Sequence, residues 1–337
     1  MDALWLGLSN LLQPAVMLAL GIGAIGGLMI GAIPGIGPAI AIAILLPATV
    51  FLDDLVSLVL LLGVYGSSMY GGAIPAILIN TPGTPVNALT TYDGYAMTQR
   101  GEAGRGLSLA YSASFFGGSF SILVALSALI LFGPYLRDLG ALFGQRDIFM
   151  AALLGAVLLI LAHRQTMVIA ALLFGIGFMI SLIGRQSLKR IDRYTFDFEY
   201  LYAGFNLIVV IVGIFAISQA LYLLTGKDAD PPEARMKGGL FRGLGELRKY
   251  KIVAIISAAY GTVMGIIPGV GEFVAQFFSY STARFLSKTP TQFGHGAPEG
   301  LIASETANNA VPAAAMIPLL ALGVPGEALT AMMMVVF

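Results

Sequence analysis

The sequence predicts an all-α, polytopic membrane protein built from inverted-topology repeats with broken or re-entrant helices. Three observations predict it. The composition is that of a lipid-embedded chain, 58% apolar and 11% charged with a mean hydropathy of +0.88, where a soluble domain carries about 25% charged residues. Apolar segments recur near the length that crosses a bilayer, about 20 residues. One unusual phrase also occurs twice, as Gly27-Leu28-Met29-Ile30-Gly31-Ala32-Ile33-Pro34-Gly35-Ile36-Gly37 and again as Gly261-Thr262-Val263-Met264-Gly265-Ile266-Ile267-Pro268-Gly269-Val270-Gly271. Pro-Gly-x-Gly at the end of an apolar run breaks a helix. Hydrocarbon leaves the freed backbone groups unsatisfied, and two breaks at corresponding places in two halves point to a binding site at the breaks.

The apolar segments fall at 14–33, 36–51, 55–79, 106–132, 148–162, 166–184, 203–224, 252–267, 270–286 and 310–337, some short enough to be hairpins. The longest polar stretches are 80–105, 185–200, 226–251 and 287–309. The expected organisation is a first transmembrane repeat over 1–132, intervening transmembrane helices over 133–225, a cytoplasmic loop over 226–251, and a second repeat over 252–337. That second repeat stops inside the apolar run Ala328–Phe337, as a truncated one would. At the other end, Met1–Trp5 lacks a basic n-region and reads as retained rather than cleaved. Leu4, Trp5, Leu8, Leu11 and Leu12 share one face of a short interfacial helix.

Charge placement supports the inversion. The loop from Lys227 to Lys251 holds Arg235, Lys237, Arg242, Arg248 and Lys249 and reads as cytoplasmic. Asp53-Asp54, at the turn of the first hairpin, has no basic neighbour, whereas the equivalent turn of the second carries Arg284 and Lys288. The hairpins therefore open to opposite sides. The 185–200 loop disagrees, since the same count places it outside although it holds Arg185, Lys189, Arg190 and Arg193.

Composition also excludes chemistry. Cysteine is absent, which removes disulfides, thiolate metal sites and a cysteine nucleophile. The two histidines, His163 and His295, have no partner at ligand spacing, and zero net charge argues against nucleic acid. Small anions remain a suitable ligand. Pro34, Gly35, Ile36 and Gly37, with Pro268, Gly269, Val270 and Gly271, form the expected substrate site, where glycine lets a ligand approach the main chain. A half-helix starting at Pro38 aims free N–H groups at an anion. A tight membrane turn is the plainer reading of one copy; two matched copies favour a site. The Gly-x-x-x-Gly spacing of Gly23, Gly27 and Gly31 reads as helix packing.

A second pair of elements follows. Ser67–Pro75 leads into Asn80-Thr81-Pro82-Gly83-Thr84-Pro85-Val86-Asn87, and Ser304–Pro312 leads into Gly323-Val324-Pro325-Gly326-Glu327. Unwound carbonyls beside Asn80, Thr81, Thr84, Ser304, Glu305, Asn308 and Asn309 suit a hard cation such as sodium; capping of broken helices is the alternative. Glu272, Glu305, Glu327 and Asp93 are the acidic candidates in apolar surroundings. Arg100 and Arg105 read as topology determinants, and His295 as a surface residue on a glycine-rich loop. No other cofactor is expected.

These residues resemble the large membrane subunit of the tripartite tricarboxylate transporters. The resemblance rests on Pro34–Pro38, Gly71–Pro85, Asp93-Gly94-Tyr95, Ile267–Gly271, Glu299–Asn309 and Gly323–Glu327. It implies a permease, not an enzyme, in the bacterial inner membrane. Such a permease imports small organic carboxylates, often citrate, on a sodium or proton gradient. It works with a periplasmic solute-binding protein and a small membrane subunit. Two other classes remain open from the residues: a channel for small anions, and a membrane-embedded hydrolase, for which Ser67 and Ser68 lack an evident base.

Overall fold

A computed structural model describes residues 2–34, 37–140, 167–186, 191–205, 242–267, 270–322 and 325–336, with isolated positions between 146 and 224. The expected substrate-site residues Gly35, Ile36, Pro268 and Gly269 lie outside the described residues. So does most of the expected spans 148–162 and 203–224.

Helix α1 (Asp2–Leu11) leads into α2 (Pro14–Gly31), where Pro14 sits at the first turn and needs no helical donor. After the first break come α3 (Gly37–Thr49) and α4 (Asp54–Ile79). A 3-10 turn over Pro85–Asn87 precedes α5 (Thr90–Gln99) and the long α6 (Ala103–Gly140). Then follow α7 (Met167–Ser181), strands β1 (Gly184–Gln186) and β2 (Ile191–Arg193), and the single turn α8 (Glu199–Tyr202). The second half holds α9 (Arg242–Leu247), α10 (Lys251–Ile266), α11 (Gly271–Leu286), α12 (Pro298–Leu322) and α13 (Ala328–Met333). Three described stretches are long and apolar enough to cross a membrane: Pro14–Gly31, Asp54–Ile79 and Ala103–Phe132. The protein is an all-α membrane protein with one small antiparallel hairpin, in which Arg185 pairs with Asp192 across the strands at 2.6 Å. The polar 185–200 stretch gave no sign of those strands.

Glycine sets how the helices meet. Gly23, Gly27 and Gly31 are the buried face of α2 and lie directly on the α4 backbone. A side chain on Gly27 would strike Val64 and Ser67, and one on Gly31 would strike Ser68. In the second half, Gly261 meets Ala307 and Ala310, and Gly265 meets Val311 and Ala314. Without a hydrophobic drive between helices in lipid, such backbone contact is the main source of association.

Each second helix then turns back on itself. Asn80 takes a left-handed φ of 54° to end α4, and its N–H bonds the Pro75 carbonyl. The chain runs back along α4, with Gly83 N–H donating to the Gly72 carbonyl at 3.1 Å. In the second half Gly326 lies against Ala315 of α12, a helix that holds Pro312 and Pro318 as α4 holds Pro75.

Ser304–Asn309 departs from its expected form. The polar stretch 287–309 was expected to precede an apolar span, with unwound backbone at its end; instead Ser304–Asn309 sits inside the continuous helix α12. Burial with partners explains this. Glu305 and Asn309 are hydrogen-bonded within the protein, and Ala307 and Ala310 face the Gly261 surface of α10.

Candidate functional site

The two breaks share their local chemistry. Helix α2 ends at Gly31 and α3 opens at Gly37, with a left-handed φ of 56°. Helix α10 ends at Ile266 and α11 opens at Gly271, with φ of 71°. At both glycines a Cβ would meet no heavy atom within 4 Å. Conformation, and not crowding, is what calls for glycine there. Pro34 and Val270, at the edges of the breaks, are half-buried, whereas Gly37 is buried.

Tyr65 of α4 joins the two halves. Its ring is 1% exposed and packs in one cluster with Ala41 and Ile42, just past the first break, and with Leu329 and Met333 of α13. Its hydroxyl reaches Glu272 Oε1 at 2.9 Å, the residue directly after Gly271, and also contacts Glu327 Oε1. Glu272 is buried and Glu327 half-buried. Glu327 opens α13 with a reciprocal capping contact to Thr330; in the first half the Thr84 hydroxyl donates to the Asn87 amide oxygen at 2.5 Å.

A second polar centre surrounds Glu305, which is fully buried in α12. Oε1 accepts from Thr90 Oγ1 at 2.5 Å and from Asn87 Nδ2 at 3.3 Å; Oε2 accepts from Ser114 Oγ at 2.9 Å and from Asn309 Nδ2 at 3.5 Å. Asn87 reaches this centre because the chain after α4 runs back along that helix, and its amide also bonds the Met69 carbonyl. Four donors match the acceptor capacity of a carboxylate, so Glu305 ties α5, α6, α12 and the segment after α4 together.

Asp93 anchors a third contact. Its Oδ1 accepts N–H groups from Gly294, Gly296 and Ala297 at 2.9, 2.9 and 2.7 Å, and its Oδ2 accepts the Tyr280 hydroxyl at 2.8 Å. The carboxylate of α5 thereby holds the glycine-rich loop that starts α12. Arg100 donates to the His295 carbonyl in the same loop, and His295 itself is exposed. Arg105 pairs with Glu102 at 2.7 Å and with Glu246 of α9. Those Arg105 hydrogen bonds hold the Glu246 carboxyl below the usual carboxylate range.

The residues expected to bind a cation are thus divided. Thr84 and Glu305 both bond Asn87, and Asn309 joins them through Glu305. Asn80 caps α4, and Thr81 donates to the Ile79 carbonyl. Ser304 donates back to Gly300 within its own helix. Asn308 is fully buried, and neither atom of its amide has a hydrogen-bond partner. Tyr65, Thr90, Ser114 and Gln276 escaped the sequence reading, and Asn87 entered it only as the end of the Asn80–Asn87 run. Gln276 alone had a usable signal, a polar residue four positions after Glu272 in an apolar stretch.

Fold and site together define a helical membrane protein whose paired, interrupted helices enclose buried carboxyl groups. Residues 17–337 match the model of the "Tripartite tricarboxylate transporter TctA family", and the chain belongs to that family. It is 34% identical over 333 residues to the "Uncharacterized 52.8 kDa protein in TAR-I ttuC' 3'region" of Agrobacterium vitis, covering 98% of this chain and 65% of that one. A second Agrobacterium vitis protein, "Uncharacterized protein in TAR-II ttuC' 3'region", is 46% identical over 77 residues, which is 23% of this chain and 32% of the relative. The chain therefore spans less than two thirds of either relative. No solved structure matches it.

Proposed function

We propose that this chain is the large permease subunit of a bacterial tripartite secondary transporter that imports organic carboxylates, tricarboxylate-like, on a sodium or proton gradient. It would lie in the inner membrane as a multi-pass protein, served by a periplasmic solute-binding protein and a small membrane subunit. Family membership supports the class. The single observation that carries the site is Tyr65, which packs beside the start of α3 and bonds the residue following Gly271. Substrate carboxylates would meet N–H groups at Pro34–Gly37 and Pro268–Gly271, because helix starts offer unpaired donors and a positive dipole end.

The opposed charge of the two hairpin turns supports an inverted arrangement of the halves at 1–132 and 252–337. Rocking of one half against the other would then expose the site alternately to each side. The test is uptake of labelled citrate into proteoliposomes that hold the complete transporter with its binding protein. Gly35→Val or Gly269→Val should abolish uptake while membrane insertion persists. Normal uptake by both variants would refute the site, and turnover of substrate without uptake would indicate an enzyme instead.

A further inference from the structure

We propose that Tyr65, Glu272, Gln276 and Glu327 bind the sodium ion that drives transport; this deepens, and rests on, the permease reading. Counting donors separates the buried carboxyl centres. Asp93 and Glu305 each receive four hydrogen bonds from neighbouring groups and are complete as they stand. Glu272 and Glu327 converge on the one hydroxyl of Tyr65. A tyrosine has a single proton to give. Their remaining donors are main-chain groups at their own helix starts, the Glu272 N–H and the Thr330 N–H. Among the described residues no basic side chain pairs with either carboxylate. Two adjacent carboxylates, one buried and one half-buried, with no counter-charge call for a cation.

Gln276 gives the cation its chemistry. It is fully buried, and both its amide oxygen and its amide nitrogen lack partners. It stands four residues after Glu272 in α11. Residues i and i+4 share a helix face, so Gln276 stands on the same face of α11 as Glu272. A bound proton would have no use for a further neutral oxygen. A hard metal cation gathers several oxygens, and two carboxylates, a phenol and an amide supply them.

A neighbour extends the site toward the substrate. Ser279 donates to the Ala303 carbonyl at 2.9 Å and Tyr280 packs on Gly300, so α11 and α12 run antiparallel. One turn back along α11, Gln276 comes level with the Thr306–Asn308 region of α12, where the unpartnered Asn308 amide sits. Pro312 also denies the Asn308 carbonyl its helical donor.

The experiment uses the purified full-length permease in detergent, heated in sodium chloride or in equimolar choline chloride. Sodium, and not choline, should raise Tm. Glu272→Gln and Glu327→Gln should each weaken that response by about 100-fold in sodium concentration, the equivalent of losing one partner of a buried charge pair. Gln276→Met guards against a folding defect: it should weaken the sodium response yet raise the sodium-free Tm, because it removes an unbonded amide from the interior. A sodium response that is absent, or undiminished in all three variants, overturns the assignment. Carboxylate uptake that proceeds on a proton gradient without sodium also overturns it and leaves the permease reading standing. Sodium binding of the expected pattern with no carboxylate uptake by the complete system keeps the site and sinks the permease reading.

Discussion

Asp93→Ala should cost roughly 3–9 kcal/mol, because it leaves three main-chain N–H groups at about 1–3 kcal/mol each without an acceptor. The donors are Gly294, Gly296 and Ala297, and the Tyr280 hydroxyl loses its acceptor too. Gly294 and Gly296 hold left-handed φ values of 84° and 90°, so the loop follows a path that few side chains could take unaided. The carboxylate that organises it comes from α5, about two hundred residues earlier in the chain. Losing it should free the start of α12 from the first half and disturb everything α12 carries, including Glu305. Asp93→Asn should be milder, since its amide oxygen still accepts from the loop. A Tm series together with limited proteolysis at 290–298 reads the difference. Equal stability for wild type and Asp93→Ala would show that the loop stands without the carboxylate.

Gly31→Ala and Gly261→Ala should each destabilise the protein by about 3 kcal/mol or more, the upper end of overpacking costs. In both cases the added methyl meets backbone, that of Ser68 for Gly31 and that of Ala307 for Gly261, and no rotamer change relieves the overlap. Gly26, on the same helix as Gly31, has nothing within 4 Å of a Cβ. Gly26→Ala should therefore be neutral or stabilising by up to about 1 kcal/mol, the intrinsic helix gain. Parallel behaviour of Gly31 and Gly261 would support a repeat at the level of energetics. Tolerance of alanine at both positions would mean that the helices are held apart by something other than these contacts.

Much of the fold was legible because its signals are local. Pro and Gly fixed the ends of α2, α3, α10 and α11 within a few residues. The acidic candidates were legible for a different reason: a carboxylate in an apolar stretch is conspicuous whatever surrounds it. Their roles were not, since a role depends on partners that spacing does not encode. Asp93 reads alike as a coupling residue or an anchor until Gly294–Ala297 is folded against it. Glu305 similarly needed Asn87, Thr90 and Ser114, which come from three separate elements. Ser304–Asn309 misled because a polar run inside a membrane helix looks like a break unless its hydrogen-bond partners are known.

Whether the two breaks face a common interior is best measured by pulsed electron paramagnetic resonance between spin labels on Ala39→Cys and Phe273→Cys. Both positions are exposed, each stands two residues after its opening glycine, and the native chain has no cysteine to remove. Through Ile42, Tyr65 and Glu272 the separation should fall below about 25 Å, label tethers included, given ~1.5 Å of rise per helical residue. A dominant distance well beyond the ~30 Å hydrocarbon thickness would place the breaks at opposite surfaces and contradict a shared site.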